Sequence, residues 1–167
     1  MSEVADKMNW SVKTTVEKWN SEAAKAAGVA PEVEEFEGNL LMNAGITRML
    51  NLLIGAGGQA LNASNSRVGV GDSSTAASAA QTDLQAASNK YWRVQEATFP
   101  SVSGQTVTWK SSFGASEANF AWEEWAIDAG TTSNSTVVAP MLNRKVQSMG
   151  TKANPAVWTL TVSITIS

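Results

Sequence analysis

Residues 158–167 read WTLTVSITIS, and large apolar side chains alternate with threonine or serine along the whole stretch. An alternation of period two puts the apolar side chains on one face of a β-strand and the hydroxyls on the other. A strand at a chain terminus frays when it is left free, so we expect residues 158–167 to pair inside a sheet or against another subunit. The stretch therefore predicts one strand of a half-buried sheet.

The same alternation recurs at residues 9–19, which predicts the first strand. Further strands are predicted at residues 32–37, 67–71, 91–97, 105–113, 119–128 and 141–149. In residues 119–128 the large side chains fall into two phases, so this strand is either bulged or buried on both faces. Short strands separated by Ser, Thr, Gly and Asn are typical of sandwiches and barrels. We predict a mainly β fold, an antiparallel β-sandwich or jelly-roll-like domain, with residues 1–167 as a single domain.

One packed α-helix is predicted at about residues 39–54. Asn39 can cap its first turn, and several glycines follow its end. Its apolar side chains recur at steps of three and four residues: Met42, Ile46, Met49, Leu50 and Leu53. Because the opposite face is polar, we expect the helix to lie across a sheet with Leu50 in the core, where Leu50→Ala would cost about 2 to 5 kcal/mol. Residues 21–31 are expected to form a short helix or an exposed loop.

The composition excludes several kinds of chemistry. The 167 residues include no cysteine and no histidine, so a disulfide, a thiol nucleophile, an imidazole base and a typical zinc site are all excluded. A net charge of −3 opposes a nucleic-acid surface, and residues 40–61 carry too many polar residues for a membrane span. The first residues do not resemble a secretory signal. We expect no enzymatic activity, no cofactor, no metal and no nucleic-acid or membrane partner.

The acidic residues have structural interpretations. The glutamates of residues 32–37 fit a solvated edge strand better than a cation site. Glu123 and Glu124 are adjacent, so on a strand they point to opposite faces and do not share a glycosidase site. Asp72 follows Val70-Gly71 and is expected to form an Asx-turn with the next residues.

Three stretches carry a resemblance to a known family. They are Gly-Asn-Leu-Leu-Met-Asn-Ala-Gly-Ile-Thr-Arg-Met-Leu at 38–50, Arg-Val-Gly-Val-Gly-Asp-Ser-Ser-Thr-Ala-Ala at 67–77 and Gln-Thr-Asp-Leu at 81–84. They resemble tailed-bacteriophage virion structural proteins of the head decoration (cement) or minor tail type. The resemblance runs from about the first strand to the C-terminus, and the Ala/Lys-rich residues 21–30 depart from it.

This resemblance implies a non-enzymatic β-rich protein that clips onto a symmetric lattice, often as a trimer. We expect a capsid decoration protein that is made in the host cytoplasm and sits on the outer surface of the head, with the major capsid protein as partner. The alternatives are a tail or fibre-attachment component, and a carbohydrate-binding β-sandwich that uses surface tryptophans. The positions of the seven tryptophans distinguish an assembly protein from a carbohydrate-binding one. Rings in the core or between subunits favour assembly, whereas exposed coplanar rings favour sugar binding.

Two segments are expected to make the assembly contacts: an N-terminal arm at residues 1–8 and the loop at residues 72–89. The loop is long and poor in large apolar residues, so we expect neighbouring subunits to supply the contacts that order it. The candidate interface residues are Trp10, Trp19, Asp72, Ser73, Ser74, Asp83, Leu84 and Trp92.

Overall fold

The computed structural model describes residues 8–167, which form two antiparallel five-stranded sheets packed as a β-sandwich. The strands are β1 (Trp10–Trp19), β2 (Glu32–Glu37), β3 (Leu40–Leu41), β4 (Arg67–Gly71), β5 (Lys90–Val94), β6 (Ser101–Ser103), β7 (Thr106–Phe113), β8 (Glu124–Asp128), β9 (Met141–Val146) and β10 (Val157–Ile166). The helices are α1 (Glu22–Ala26) and α2 (Asn43–Leu53). Sheet 1 has the order β2-β1-β10-β7-β6, and sheet 2 has the order β3-β9-β8-β4-β5.

The predicted C-terminal strand is the centre of sheet 1. β10 lies between β1 and β7, and Leu160 pairs with Val16 on one side and Ser111 on the other. The apolar phase of β10 is buried against sheet 2, while its hydroxyl phase forms the outer face of the sandwich. Residues 158–167 alternate strictly because sheet 2 covers only one face of this strand.

Sheet 2 is buried on both faces. Every residue of β4 and β8 is buried, and a second apolar cluster lies on the face that points away from sheet 1. That outer face is covered by α2 and by the loop of residues 72–89, which we call the covering loop. The protein therefore has three layers, with sheet 2 in the middle.

The glycines of β4 make this middle layer possible. Val68 and Val70 point into the sandwich core, while Gly69 and Gly71 point to the outer face. A Cβ on Gly69 would lie 2.4 Å from the Trp92 ring, and a Cβ on Gly71 would lie 2.6 Å from a Glu124 carboxylate oxygen. These distances are too short for any side chain larger than hydrogen, so the two glycines let the outer layer approach the sheet.

Most of the predicted strands are confirmed, with ends that differ by a few residues. The predicted strand at residues 119–128 is shorter, since β8 begins at Glu124. β8 is buried on both faces, as one alternative had it, and Phe120 and Trp122 before it join Trp125 and Ile127 at the same core, as the other had it. β2 is an edge strand, as expected. Two short strands, β3 and β6, were not predicted, because two or three residues give no readable alternation.

The helix prediction was correct in type and wrong at its start. α2 begins at Asn43, and Asn39 does not cap it; the Asn39 side-chain oxygen instead accepts a hydrogen bond of 3.0 Å from the indole N–H of Trp10. Residues 21–31 contain α1, whose first turn is capped by the Ser21 hydroxyl accepting from the Ala24 N–H at 3.1 Å.

The expectation that Leu50 lies in the core was wrong. Its side chain is 56% exposed, and Leu53, one turn further on, is 81% exposed. The face that α2 presents to sheet 2 is instead made by Met42, just before the helix, and by Gly45, at which a Cβ would lie 2.3 Å from the backbone oxygen of Leu142. The close approach at Gly45 fixes the rotation of the helix. Met49 is half-buried and packs against the sandwich core, as predicted, while Leu50 and Leu53 point outward.

We therefore predict that Leu50→Ala lowers the free energy of unfolding by less than about 1 kcal/mol, since the side chain is already more than half exposed. Leu160→Ala, in the centre of sheet 1 and fully buried, should cost about 2 to 5 kcal/mol. Urea unfolding of both variants measures the difference. Equal losses would mean that α2 is packed more deeply than described.

Candidate functional site

A buried ion pair stands at the centre of the outer layer. Glu124 of β8 and Arg144 of β9 are both completely buried, and the Nε of Arg144 donates to a Glu124 carboxylate oxygen at 2.6 Å. Two buried charges are stable only if their remaining hydrogen-bonding groups also find partners. Those partners are all supplied by the covering loop.

The loop is fastened at four points. The Glu124 carboxylate accepts from the backbone N–H groups of Gln85, at 3.0 Å, and Ala86, at 2.8 Å. The Arg144 guanidinium donates at 2.9 Å both to the Thr75 backbone oxygen and to the Gln81 side chain. The chain's own charge pair therefore supplies contacts that order this loop, which the sequence analysis had expected from neighbouring subunits alone.

A second buried pair fastens the segment that follows β8. Arg67 of β4 donates to the Asp128 carboxylate, with Nε 3.0 Å from one oxygen, and also to the backbone oxygens of Thr132 and Val137. The Arg67 guanidinium lies 5.1 Å from the centre of the Trp92 ring. Burial raises the pKa of the Asp128 carboxyl, while the bonds from Arg67 act in the opposite direction.

Two of the predicted interface residues lie inside the chain's own core. Leu84 is 2% exposed and Trp92 is 4% exposed, and they share the apolar cluster on the outer face of sheet 2. Both predictions are corrected for this reason: a side chain that is covered by its own chain has no surface to offer a partner. The indole of Trp92 lies over Gly69, in space that the missing side chain leaves free.

The polar candidates close the covering loop instead of forming one cluster. The expected Asx-turn at Asp72 is absent from the described hydrogen bonds; the Asp72 carboxylate accepts from the Asn89 side chain at 2.7 Å and joins the two ends of the loop. Ser73 accepts from the Thr75 N–H, and Asp83 accepts from the Leu84 N–H and from Lys90. Ser74 is exposed.

The tryptophans do not form a sugar platform. Five of the seven are buried: Trp92, Trp109, Trp122, Trp125 and Trp158. The half-buried pair, Trp10 and Trp19, occupy the two ends of β1, which at about 3.3 Å per residue places them roughly 30 Å apart and on opposite faces. Rings so placed cannot stack on one short glycan, which weakens the carbohydrate alternative.

The remaining acidic groups are paired or solvated. On the edge strand, Glu34 lies 2.7 Å from Lys18, and Glu35 lies 2.8 Å from Lys13. Glu123 points away from Glu124 and accepts from the Ser148 hydroxyl at 2.9 Å. Among residues 8–167 no three acidic side chains converge in a way that could hold a metal ion.

Lys25 of α1 is hydrogen-bonded to hydroxyls on the outer face of sheet 1. Lys25 donates to the hydroxyls of Ser112 and, at 3.1 Å, Thr159, and it lies 3.9 Å from Glu96. These contacts hold α1 against the outer face of sheet 1.

Two further groups, the half-buried Tyr91 and the buried Lys152, have shifted pKa values. Burial raises the pKa of Tyr91 above its ordinary value of 10.0, and the Glu117 carboxylate, which accepts from its hydroxyl at 3.0 Å, adds to the rise. Burial lowers the pKa of Lys152, although its ammonium donates to the backbone oxygens of Gly114 and Glu117. These groups tie loops together, and Glu117, which bonds both of them, also lines an open cleft beside Arg93 and Lys25.

Comparisons with protein-family models, with curated proteins and with solved structures found no match for this chain. In the part of the chain that the structure describes, no helix has the length and apolar character required to cross a membrane.

We predict that Glu124→Gln lowers the free energy of unfolding by about 3 to 5 kcal/mol, because it leaves the buried Arg144 charge without its partner. Glu123→Gln is the matched control: the same chemical change at the next residue, on the opposite face, should stay within about 0.5 kcal/mol. Urea unfolding gives both values, and hydrogen exchange should show faster exchange at residues 72–89 in Glu124→Gln alone. Similar losses in the two variants would contradict the anchoring role.

Alkaline pH should test the environment of Tyr91, the one tyrosine in the sequence. Its raised pKa means that the unfolded chain loses this proton near pH 10 while the folded protein still holds it, so stability is lost as the pH rises above 10. Tyr91→Phe should lose less free energy of unfolding between pH 9 and pH 11 than the wild type. Lys152 is present in both proteins and cancels in the comparison. The prediction would be contradicted if the free energy of unfolding fell equally in the two proteins. It would also be contradicted if the phenolate absorbance of the native protein titrated at pH 10.

Proposed function

We propose that this chain is a non-enzymatic structural protein of a tailed-phage virion, namely a decoration protein that reinforces the head by binding the major capsid protein on its outer surface. One support is the arrangement of the three stretches that resemble such proteins. Arg144 joins Thr75 of the second stretch to Gln81 of the third, and the N–H of Asn43 in the first stretch donates to the Ala79 oxygen of the covering loop. The three stretches that carry the resemblance are thus in contact with one another in the folded chain.

The observation that carries the proposal is that every fully buried charged side chain is bonded within the chain. Among residues 8–167 the fully buried charged side chains are Arg67, Glu124, Asp128, Arg144 and Lys152, and each one bonds a neighbouring segment of the chain. These buried groups stiffen the fold, and their bonds within the chain keep them from acting on a substrate. A rigid body with a neutral surface suits attachment to a lattice.

The outer face of sheet 1 has the character of a wet protein interface. Hydroxyls of β7 and β10 pair across the strands, with 2.7 Å between Thr106 and Thr165 and 3.0 Å between Thr108 and Ser163. Such groups can exchange these bonds for bonds to a partner or to interfacial water. This face and the N-terminal arm are the surfaces we assign to the head, where the protein is multimeric, with a trimer as the expected form.

The arm can be removed without opening the sandwich. Residues 1–7 lie outside the described residues, and Asn9 exchanges two backbone hydrogen bonds with Ser167, of 2.6 and 3.0 Å. The pairing of β1 with β10 therefore begins just after the segment at residues 1–8. A chain that lacks this segment keeps every strand of sheet 1.

We predict that deletion of residues 1–8 leaves a folded protein that binds its particle at least about tenfold more weakly, since an arm that binds a second site raises the apparent affinity by its effective concentration. Particles that lack the protein would be mixed with the wild-type chain, with the deleted chain, and with a control in which residues 1–8 become a Gly/Ser segment of the same length. Occupancy is measured after sedimentation.

Equal occupancy of all three chains would exclude the arm as an anchor. Heads and tails are also separated before binding, and wild-type protein found on tails alone would replace the decoration function with the tail alternative. Protein found on neither fraction would overturn the virion proposal.

A further inference from the structure

We infer that the outer edge of β2 binds an extended basic segment of another protein, which adds to sheet 1 as a further strand. β2 is the last strand of sheet 1, and among residues 8–167 no strand pairs with its outer edge. An unpaired edge is a template for a new strand, because its N–H and C=O groups lie in one row. This inference goes beyond the proposed function, since it follows from β2 whether or not a virion carries the protein.

The register of β2 shows which backbone groups face outward. The Gly38 N–H donates to the Val12 oxygen at 2.9 Å, and hydrogen-bonded pairs alternate along an antiparallel ladder. The even-numbered residues of β2 therefore bond β1, and the odd-numbered residues direct their N–H and C=O groups outward: Val33, Glu35 and Glu37. The Lys145 ammonium occupies the Glu37 oxygen, at 2.6 Å. In the described part of the chain the outward groups of Val33 and Glu35 have no partner.

The charge of β2 selects the kind of segment. Four of its six residues are glutamates, whereas β1 supplies two lysines to face them. Lys13 lies 2.8 Å from Glu35, and Lys18 lies 2.7 Å from Glu34. β2 therefore keeps an excess of two negative charges, which favours a basic segment on its open side.

The two remaining carboxylates, of Glu32 and Glu37, lie at opposite ends of β2. Glu32 is 69% exposed and lies 3.6 Å from Lys18, which already bonds Glu34. Glu37 is exposed and forms no ion pair with any of the described residues. At about 3.3 Å per residue the two positions are about 17 Å apart, and they point to opposite faces of the strand. Residues five positions apart in an extended segment do the same, so one segment can place a basic side chain at each.

Each of these carboxylates lies beside a cleft that also contains a half-buried tryptophan. Glu32 and Trp19 line a cleft of about 350 Å³, and Glu37 and Trp10 line one of about 480 Å³. Lysine and arginine suit such places, because the aliphatic stem packs on an apolar ring while the charge reaches a carboxylate. Lys25 of this chain already lies 4.8 Å from the centre of the Trp19 ring. The clefts thus place two of the predicted interface residues, Trp10 and Trp19, at the ends of the open edge.

Charge also disfavours the two other occupants that the chain itself could supply. A second copy that paired edge to edge would bring its own β2 glutamates against the same row, and like charges directly opposite each other destabilise a strand pair. The N-terminal arm carries Glu3 and Asp6 against Lys7, so it offers no basic excess. The occupant is therefore a segment of a different protein.

A fluorescently labelled peptide, acetyl-TTRVTVTRT-amide, tests the inference, because its two arginines are five positions apart. At about 50 mM salt, where exposed charges are weakly screened, the wild-type chain should bind it saturably in fluorescence anisotropy. Glu32→Gln combined with Glu37→Gln should weaken binding about five- to thirtyfold. Glu22→Gln combined with Glu123→Gln is the matched control, since it removes the same charge away from β2 and should leave the affinity within about twofold. The peptide with glutamates in place of its arginines should not bind.

Strand addition is tested separately from charge. Val33→Pro removes an outward N–H without loss of a bond to β1 and without a change of charge, a substitution that an edge strand tolerates. It should weaken binding about five- to tenfold, whereas Val33→Thr should not, and circular dichroism confirms that both variants are folded. In the wild-type complex, amide hydrogen exchange should slow at Val33 and Glu35 but not at Glu34 and Phe36, which already bond β1.

Absence of saturable binding, equal binding of the glutamate peptide, or equal losses in the two double variants would overturn the inference. Unchanged exchange at Val33 and Glu35 in the complex would also overturn it, because the peptide would then be held by charge without adding a strand. Association of the chain with itself that Val33→Pro abolishes would assign the edge to a second copy instead.

Discussion

The buried pair of Glu124 and Arg144 is the interaction on which the outer layer depends. Desolvation of two charges costs several kcal/mol, and it is offset here because the remaining lone pairs and N–H groups all bond the covering loop. The covering loop therefore buries the ion pair, and the ion pair in turn holds the loop in one conformation. Removal of either charge would leave the other buried without its partner in the middle of sheet 2. The covering loop would also lose the attachment points that the removed side chain supplies.

The need to bury this pair also explains the composition of β4. A strand that faces the sandwich core on one side and a charged outer layer on the other requires valine and glycine in alternation, since any Cβ at Gly69 or Gly71 would occupy the space of Trp92 or Glu124. Trp92 and Glu124 therefore pack directly on the backbone of β4. The ion pair lies between sheet 2 and the covering loop, where water does not reach it.

The sequence was most informative where one face of a strand is exposed. β1 and β10 alternate strictly because sheet 1 has an inner and an outer face, so both could be predicted closely. The central strands β4 and β8 of sheet 2 are buried on both faces and do not alternate apolar with polar side chains, which is why β8 could be read in two ways. The amphipathic pattern of α2 predicted a helix correctly but gave the wrong side, because periodicity does not distinguish a face that meets the core from one that meets solvent or a partner.

The charge pairs could not have been predicted from one sequence. Arg144 and Glu124 are twenty residues apart, and nothing in their neighbours distinguishes them from the solvated charges of β2. The loop likewise looked too polar to order itself, since three of its four anchors are backbone groups, which the residue types do not reveal. Long-range pairing of this kind becomes visible only when the sheet brings the strands together.

The central position of β10 bears on how the chain folds during synthesis. β1 and β7 flank β10 and hydrogen-bond to it along almost their whole lengths, with Trp10 opposite Ile166. Until the ribosome has released residues 157–166, β1 and β7 each present an unpaired edge, and sheet 1 cannot close. Pairing over so large a sequence separation is slow, and open edges aggregate, so the nascent chain passes through a vulnerable interval that ends only when this strand is inserted.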